Sequence, residues 1–233
     1  RQVLLGAILI FLVGIYDDLL EISPRKKVKG EMLGVLVLIV GGGPYTGAPA
    51  LAGMGALRIG ADLVHIATPN ASYIPIASYS PDLIVHRLSQ DVLCPEDVEK
   101  IVEIIESVDA VLIGPGLGKD ERTQEAVRMI ITKCNKPMVI DADAITAISS
   151  NLSVLNGKEC ILTPHAREFK VLTGESVSQE AAIAAAKELD CVLIVKGKED
   201  IITNGKWTKI NHTGNSRTVS YTHLRAHETD SYL

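Results

Sequence analysis

Gly114-Pro115-Gly116-Leu117-Gly118 follows directly on the apolar run Ala110–Ile113. Three glycines and a proline at the end of a short buried strand let the backbone come within hydrogen-bonding distance of a ligand, because no Cβ blocks the approach. Thr123 and Gln124 then open a helix, and a helix N-terminus favours anions. Glycine turns also close ordinary βα units, so the weight comes from company. Asp141-Ala142-Asp143, the stretch Thr163-Pro164-His165 with Glu168, and Lys196-Gly197 each end a later strand. Nucleotide-dependent chemistry is what such a set can do.

Each group has a second, purely structural reading. The turn Gly41-Gly42-Gly43-Pro44-Tyr45-Thr46-Gly47 could present Tyr45 and Thr46 to a ligand, with Ala48 leaving room beside them, or it could be a tight strand-to-helix joint. Asp141 and Asp143 could hold a cation or a hydroxyl; Asp143 reads as the cap of the next helix, and Asp141 leans to function. His165 and Glu168, three apart at a strand-to-helix junction, can face one cleft. There His165 could bond a polar ligand and Glu168 could organise Mg²⁺ through water. Alternatively, the imidazole is satisfied locally and Glu168 reaches back to cap the first turn, the reading preferred for Glu168. Lys196 can meet a phosphate or ribose as a point charge, or be a solvated strand end. His65, His86 and His212 stand singly and read as structural.

The elements that must carry these residues are legible in the apolar runs. Strands are expected at Val35–Val40, Leu63–Ala67, Leu83–Arg87, Ala110–Ile113, Met138–Ile140, Cys160–Leu162 and Val192–Val195. Helices are expected near Ala48–Arg58, Pro95–Ser107, Thr123–Lys133, Ala144–Ser149, Arg167–Leu172 and Ser178–Leu189, with Ser178 as an N-cap. Strands without polar alternation are buried on both faces, which implies an α/β fold: a mainly parallel central sheet with helices on both faces. Asn204-Gly205 reads as a tight hairpin turn between Ile201–Thr203 and Trp207–Ile210. In such sheets ligands bind beyond the carboxyl ends of the strands, where the polar turns fall.

The 233 residues suffice for one sizeable core, and 47% hydrophobic with 22% charged residues fits a globular α/β chain. A net charge of −5 gives no support to nucleic-acid binding. Cys94, Cys134, Cys160 and Cys191 lie far apart without a CxxC pair, and read as buried free thiols of a cytoplasmic protein. The apolar run Val3–Ile15 is too short to span a bilayer and resembles a signal core, yet no cleavage site follows it; it reads as a remnant of a preceding segment, with a clipped membrane helix as the alternative. No membrane association is expected. Residues 1–28 are taken as remnant and linker, 29–215 as the domain, and 216–233 as a tail foreign to it, whose His223 and His227 lack a third metal ligand.

In order along the chain, these segments resemble the NAD(P)H-hydrate dehydratase family of the ribokinase-like superfamily. The pieces are Gly41–Ala50, Gly60–Val64, Gly114–Gly118, Val139–Ala144, Ile161–Phe169, Leu172–Gly174, Val195–Gly197 and Thr213–Asn215. The resemblance implies an ADP- or ATP-dependent lyase with Mg²⁺ that repairs hydrated NADH or NADPH: the hydroxyl is phosphorylated, then phosphate is eliminated. It implies that Ala48, Gly116 and His165 contact the hydrated dinucleotide; Asp141 and Tyr45, read from the turns themselves, are expected beside them as substrate-binding residues. Lys196, Gly197, Lys198, Glu199, Asp200 and Asn215 match the nucleotide segment. It also implies a homo-oligomer, fused in bifunctional members to an epimerase domain through a linker like Leu19–Lys27. Microbial members generally use ADP, animal and fungal ones ATP, and this sequence leans to the microbial form.

One departure stands out. The family pattern continues after Thr-Gly-Asn into Gly-Gly-Thr-Gly-Asp, whose amides form an anion hole and whose aspartate acts as base, the elements phosphoryl transfer needs. Ser216–Leu233 contains no glycine, Asp230 lacks the surrounding motif, and no catalytic residue is assigned. This chain is therefore expected to be inactive or nearly so. The alternatives are a ribokinase-like kinase for a vitamin precursor hydroxyl, whose members more often carry Asn where His165 stands, and a nucleotide-binding fragment without chemistry.

Overall fold

The computed structural model describes residues 35–212 of the chain. The expectations for residues 1–28 and 216–233 and for Asn215 lie outside that range. Nine strands form one sheet: β1 (Leu36–Val40), β2 (Leu63–Thr68), β3 (Leu83–Arg87), β4 (Ala110–Ile113), β5 (Met138–Ile140), β6 (Cys160–Leu162), β7 (Val192–Val195), β8 (Asp200–Thr203) and β9 (Thr208–Asn211). Their spatial order is 3-2-1-4-5-6-7-8-9. Neighbours pair in parallel up to β7, and β8 and β9 add antiparallel pairs at one edge.

The absence of polar alternation has the expected cause. In β1, Val37 and Ile39 join one apolar cluster, while Leu38 and Val40 join the other, so both faces are buried. The first cluster receives Ala50, Ala52 and Ala56 from α1 (Gly47–Ile59) and Ile76 from α2 (Asn70–Ala77). The opposite face is packed by α3 (Val98–Glu106), α4 (Glu121–Lys133), α5 (Asp143–Ile148), α6 (Ala166–Thr173) and α7 (Gln179–Glu188). Small alanines on α1 let that helix lie close against the sheet. At Gly53 a Cβ would stand 2.8 Å from a Leu83 methyl.

Several local expectations need correction. Helix α2 was not foreseen, because Pro75 sits within it and its apolar residues lack helical spacing. Helix α4 begins at Glu121 rather than Thr123, capped by Asp120, whose side chain accepts from Arg122 N–H. The β8–β9 loop is one residue longer than expected, Asn204 to Trp207, and Asn204 Oδ1 accepts from Lys206 and Trp207 N–H within it. Ser178 caps α7 by accepting from Ala181 N–H, as its type and position imply. All four cysteines are buried free thiols.

Candidate active site

The expected ligand residues gather along the carboxyl edge of the sheet. The loops after β1 and β4 touch: Gly42 N–H donates to Pro115 O at 2.9 Å. Gly116 adopts φ +74°, and a Cβ there would stand 2.5 Å from Tyr45 O and 3.3 Å from Ala48 Cβ. Only glycine permits that approach, so Tyr45, Ala48 and Gly116 form one surface. Gly114, at φ +125°, passes so close to β5 that a Cβ would overlap the Asp141 carbonyl oxygen.

Asp143 does not cap α5. The N-cap position belongs to Ala142, at a left-handed φ of 50°, and Asp143 Oδ2 instead accepts from Gly118 N–H at 2.8 Å. The carboxylate thus pins the far end of the glycine loop. Ser72 has a similar part, accepting from Gly43 N–H at 2.7 Å and donating to Gly43 O at 2.8 Å. Neither role is visible in sequence, since each pair is more than twenty residues apart.

Beyond β5, β6 and β7 the site is made of side chains. Lys196 Nζ lies 2.6 Å from Asp141 Oδ1, and Thr163 Oγ1 donates to the same oxygen at 2.7 Å. Burial alone would push the Asp141 carboxyl up; the adjacent Lys196 ammonium overrides this and holds it below its ordinary value. Lys196 N–H donates to Pro164 O at 2.8 Å, extending the β6–β7 pairing by one bridge to His165. Thr163 opens the strand-end stretch read from the sequence, but its bond to Asp141 gives no signal until the neighbouring strand is known.

His165 and Glu168 cap α6 reciprocally. His165 Nδ1 accepts from Arg167 N–H at 3.0 Å and Glu168 N–H at 3.2 Å, and Glu168 Oε2 accepts from His165 N–H at 2.8 Å. An accepting Nδ1 places the ring proton on Nε2, which lies 3.3 Å from Glu168 Oε1. Burial, then the Lys196 charge, depresses the His165 pKa, so the ring is neutral at pH 7. Burial pushes Glu168 up to about 7. With Oε2 committed to the His165 N–H, Glu168 acts as the cap of α6, the reading preferred for it from the sequence. Among the described residues no group of three His, Cys, Asp or Glu could hold a metal ion.

Gly197, Lys198, Glu199 and Asp200, expected to contact the nucleotide, lie at the β7–β8 turn and the start of β8. Asp200 accepts from Gly197 N–H at 3.1 Å through one oxygen and from Asn211 Nδ2 at 3.1 Å through the other, so it closes the hairpin. Lys198 is exposed, and Glu199 lies 2.9 Å from His212 Nδ1. His212 therefore has a partner, as have His65 and His86, whose facing nitrogens are 2.8 Å apart. None of the three stands singly as expected.

The profile of the NAD(P)H-hydrate dehydratase family matches residues 36–220. The chain belongs to this family. It is similar to the bifunctional NAD(P)H-hydrate repair enzyme of Archaeoglobus fulgidus, 41% identical over 77% of this chain and 37% of that protein. It is also similar to the ATP-dependent (S)-NAD(P)H-hydrate dehydratase of Entamoeba histolytica, 38% identical over 78% of this chain and 62% of that one. The chain thus spans about two-fifths of the bifunctional relatives and less than two-thirds of the single-function one.

Among solved structures, the ADP/ATP-dependent NAD(P)H-hydrate dehydratase of Bacillus subtilis, crystallised with ATP and Mg²⁺, is 30% identical with a TM-score of 0.63, covering 78% of this chain and 65% of that one. A ribokinase-like superfamily protein of Enterococcus faecalis superposes with a TM-score of 0.68 at 26% identity, over 78% of this chain and 64% of that one. The family's fold is the ribokinase-like one expected from the segment order.

Proposed function

We propose that this domain binds NADH or NADPH hydrate and a nucleotide, ADP or ATP, at one rim, and that its parent activity is nucleotide-dependent dehydration of the hydrate. The observation that carries the reading is the meeting of Asp141, His165 and Lys196 beside the Gly114–Gly118 loop, in a chain of this family. In this reaction the substrate hydroxyl takes a phosphoryl group, and the C–O bond then breaks. Phosphate leaves, an adjacent carbon gives up a proton, and a double bond replaces the bond to oxygen.

The residues divide the work by chemistry. Tyr45, Ala48 and Gly116 offer a close backbone surface to the dinucleotide, and neutral His165 lies at the rim between that surface and Lys196. Lys196 supplies a fixed positive charge for phosphate, held in place by Asp141. Gly197, Lys198, Glu199, Asp200 and Asn215 complete the nucleotide segment in this reading. Mg²⁺ would accompany the nucleotide's phosphates, and Glu168, which caps α6, would reach it only through water. Fusion to an epimerase domain and assembly as a homo-oligomer are part of the same proposal, the first supported by the bifunctional relatives. Among the described residues no helix is long and apolar enough to cross a membrane.

The resemblance implies a Gly-Gly-Thr-Gly-Asp segment after Thr213–Asn215, and Ser216–Leu233 of this sequence holds no glycine. We therefore expect binding with little turnover. Thermal-shift titrations with ADP, ATP and NADPH hydrate test the binding, and a coupled assay following NADH regained from its hydrate tests the turnover. Absence of a shift with every ligand would remove the proposal; brisk turnover would remove only the expected inactivity.

A further inference from the structure

Strand order reverses between β1 and β4, with β2 and β3 on one side and the later strands on the other. Loops leaving two such strands diverge, and a crevice opens between them at the carboxyl edge. A cavity of about 290 Å³ lies there. Pro44 and Leu117 from the two glycine loops wall it, with Ala71 at the start of α2 and Val92. Gly43 and Gly118 also line it, so it runs on from the Tyr45–Ala48–Gly116 surface and away from the charged cluster of β5 to β7.

Ligand clefts usually run from ~300 to ~1,000 Å³, so this one suits a single nucleoside rather than a whole dinucleotide. Its apolar walls suit a flat heterocycle. Its charged groups are Asp91, Asp120 and Lys119. Asp91 Oδ1 accepts from Asn70 Nδ2 at 2.8 Å, and Asp120 Oδ1 accepts from Arg122 N–H at 2.9 Å. Each carboxylate, on an exposed residue, is thereby oriented through one oxygen. The neighbouring Arg122 is engaged elsewhere, 3.1 Å from Glu96. The lining thus carries two carboxylates against the one ammonium of Lys119 and is net negative.

We propose that this cavity takes the adenosine end of the substrate, and that Asp91 and Asp120 select NADH hydrate over NADPH hydrate. The inference rests on the dehydratase reading and adds its specificity. A ribose 2′-hydroxyl donates to a carboxylate, as at other doubly wound sheets. A 2′-phosphate instead brings roughly two negative charges against a lining that is already net negative.

The test is parallel titration of the full chain with NADH hydrate and NADPH hydrate at low ionic strength, read by thermal shift. NADH hydrate is expected to bind about tenfold tighter or more. In the double variant Asp91→Asn/Asp120→Asn the gap closes, because asparagine still accepts from Asn70 and still caps α4. Ala71→Trp, which fills the cavity, weakens both hydrates and leaves ADP binding unchanged. Equal affinities in the parent chain, or a gap that survives neutralisation, overturn the inference while the dehydratase reading stands. If ADP binds and neither hydrate does, both fall.

Discussion

At β1 and β4 the carboxyl rim of the sheet is made of backbone: Gly42 bonds Pro115, Gly116 lies against Tyr45, and Gly114 passes the Asp141 carbonyl with no room for a Cβ. At β5, β6 and β7 the same rim is made of side chains: Asp141, Thr163 and Lys196 share one oxygen's bonds, and His165 and Glu168 cap α6. The first half is shaped by what is missing, so it tolerates no added atom and responds little to pH. The second half is shaped by paired charges and hydrogen bonds, so it tolerates isosteres but responds to pH and to loss of a partner.

Gly114→Ala should break the comparison hardest. The left-handed φ and the clash with a backbone oxygen cost about 4 kcal/mol or abolish folding, measured by urea denaturation. A loss under about 1 kcal/mol would show that the backbone half is as adaptable as the other.

Asp141→Ala comes next, since it leaves Lys196 and Thr163 facing an empty site, for about 3 kcal/mol. Because the folded carboxyl titrates below its unfolded value, its contribution is present above the unfolded pKa and fades as pH falls through the folded one. Asp141→Asn should therefore flatten the acid limb of the stability curve. An unchanged limb would show that Lys196 does not hold the charge.

Glu168 runs the other way. Its folded pKa is raised from 4.5 to about 7, so its contribution is complete below 4.5 and lost as pH rises through 7. Glu168→Gln should remove a decline on the order of 2–3 kcal/mol between those pH values. His165, whose pKa is lowered, gains with pH up to its ordinary value, so the difference between parent and variant isolates the carboxyl. Matching curves for the two proteins would place Glu168 in water rather than in a buried cap.

The smallest effect is the sharpest check on His165. His165→Ala should cost about 1 kcal/mol by removing the acceptor at the start of α6, whereas His165→Asn, another good cap, should cost only a few tenths. Equal losses in thermal melts would mean that the ring is held by packing rather than by its Nδ1 bonds.

The apolar runs alone placed β1 to β7 within about a residue, because each strand is buried on both faces by its own side chains. Pro75 hid α2 for the complementary reason, an element whose local preference argues against it. The glycine turns and strand-end polar residues could likewise be placed at the carboxyl edge of the sheet, since a strand's carboxyl end is a local property.

Which of them touch was decided by strand order. Asp141 meets Lys196 across 55 residues and Thr163 across 22, and Asp143 reaches Gly118 across 25. His65 finds His86 only through the β2–β3 register, which puts them on one face two positions apart. Those contacts depend on lateral neighbours in the sheet, which local burial does not specify. The sequence by itself therefore determined the strands and the rim, while the division of that rim into a backbone half and a charged half arose only when β4 to β7 were laid side by side.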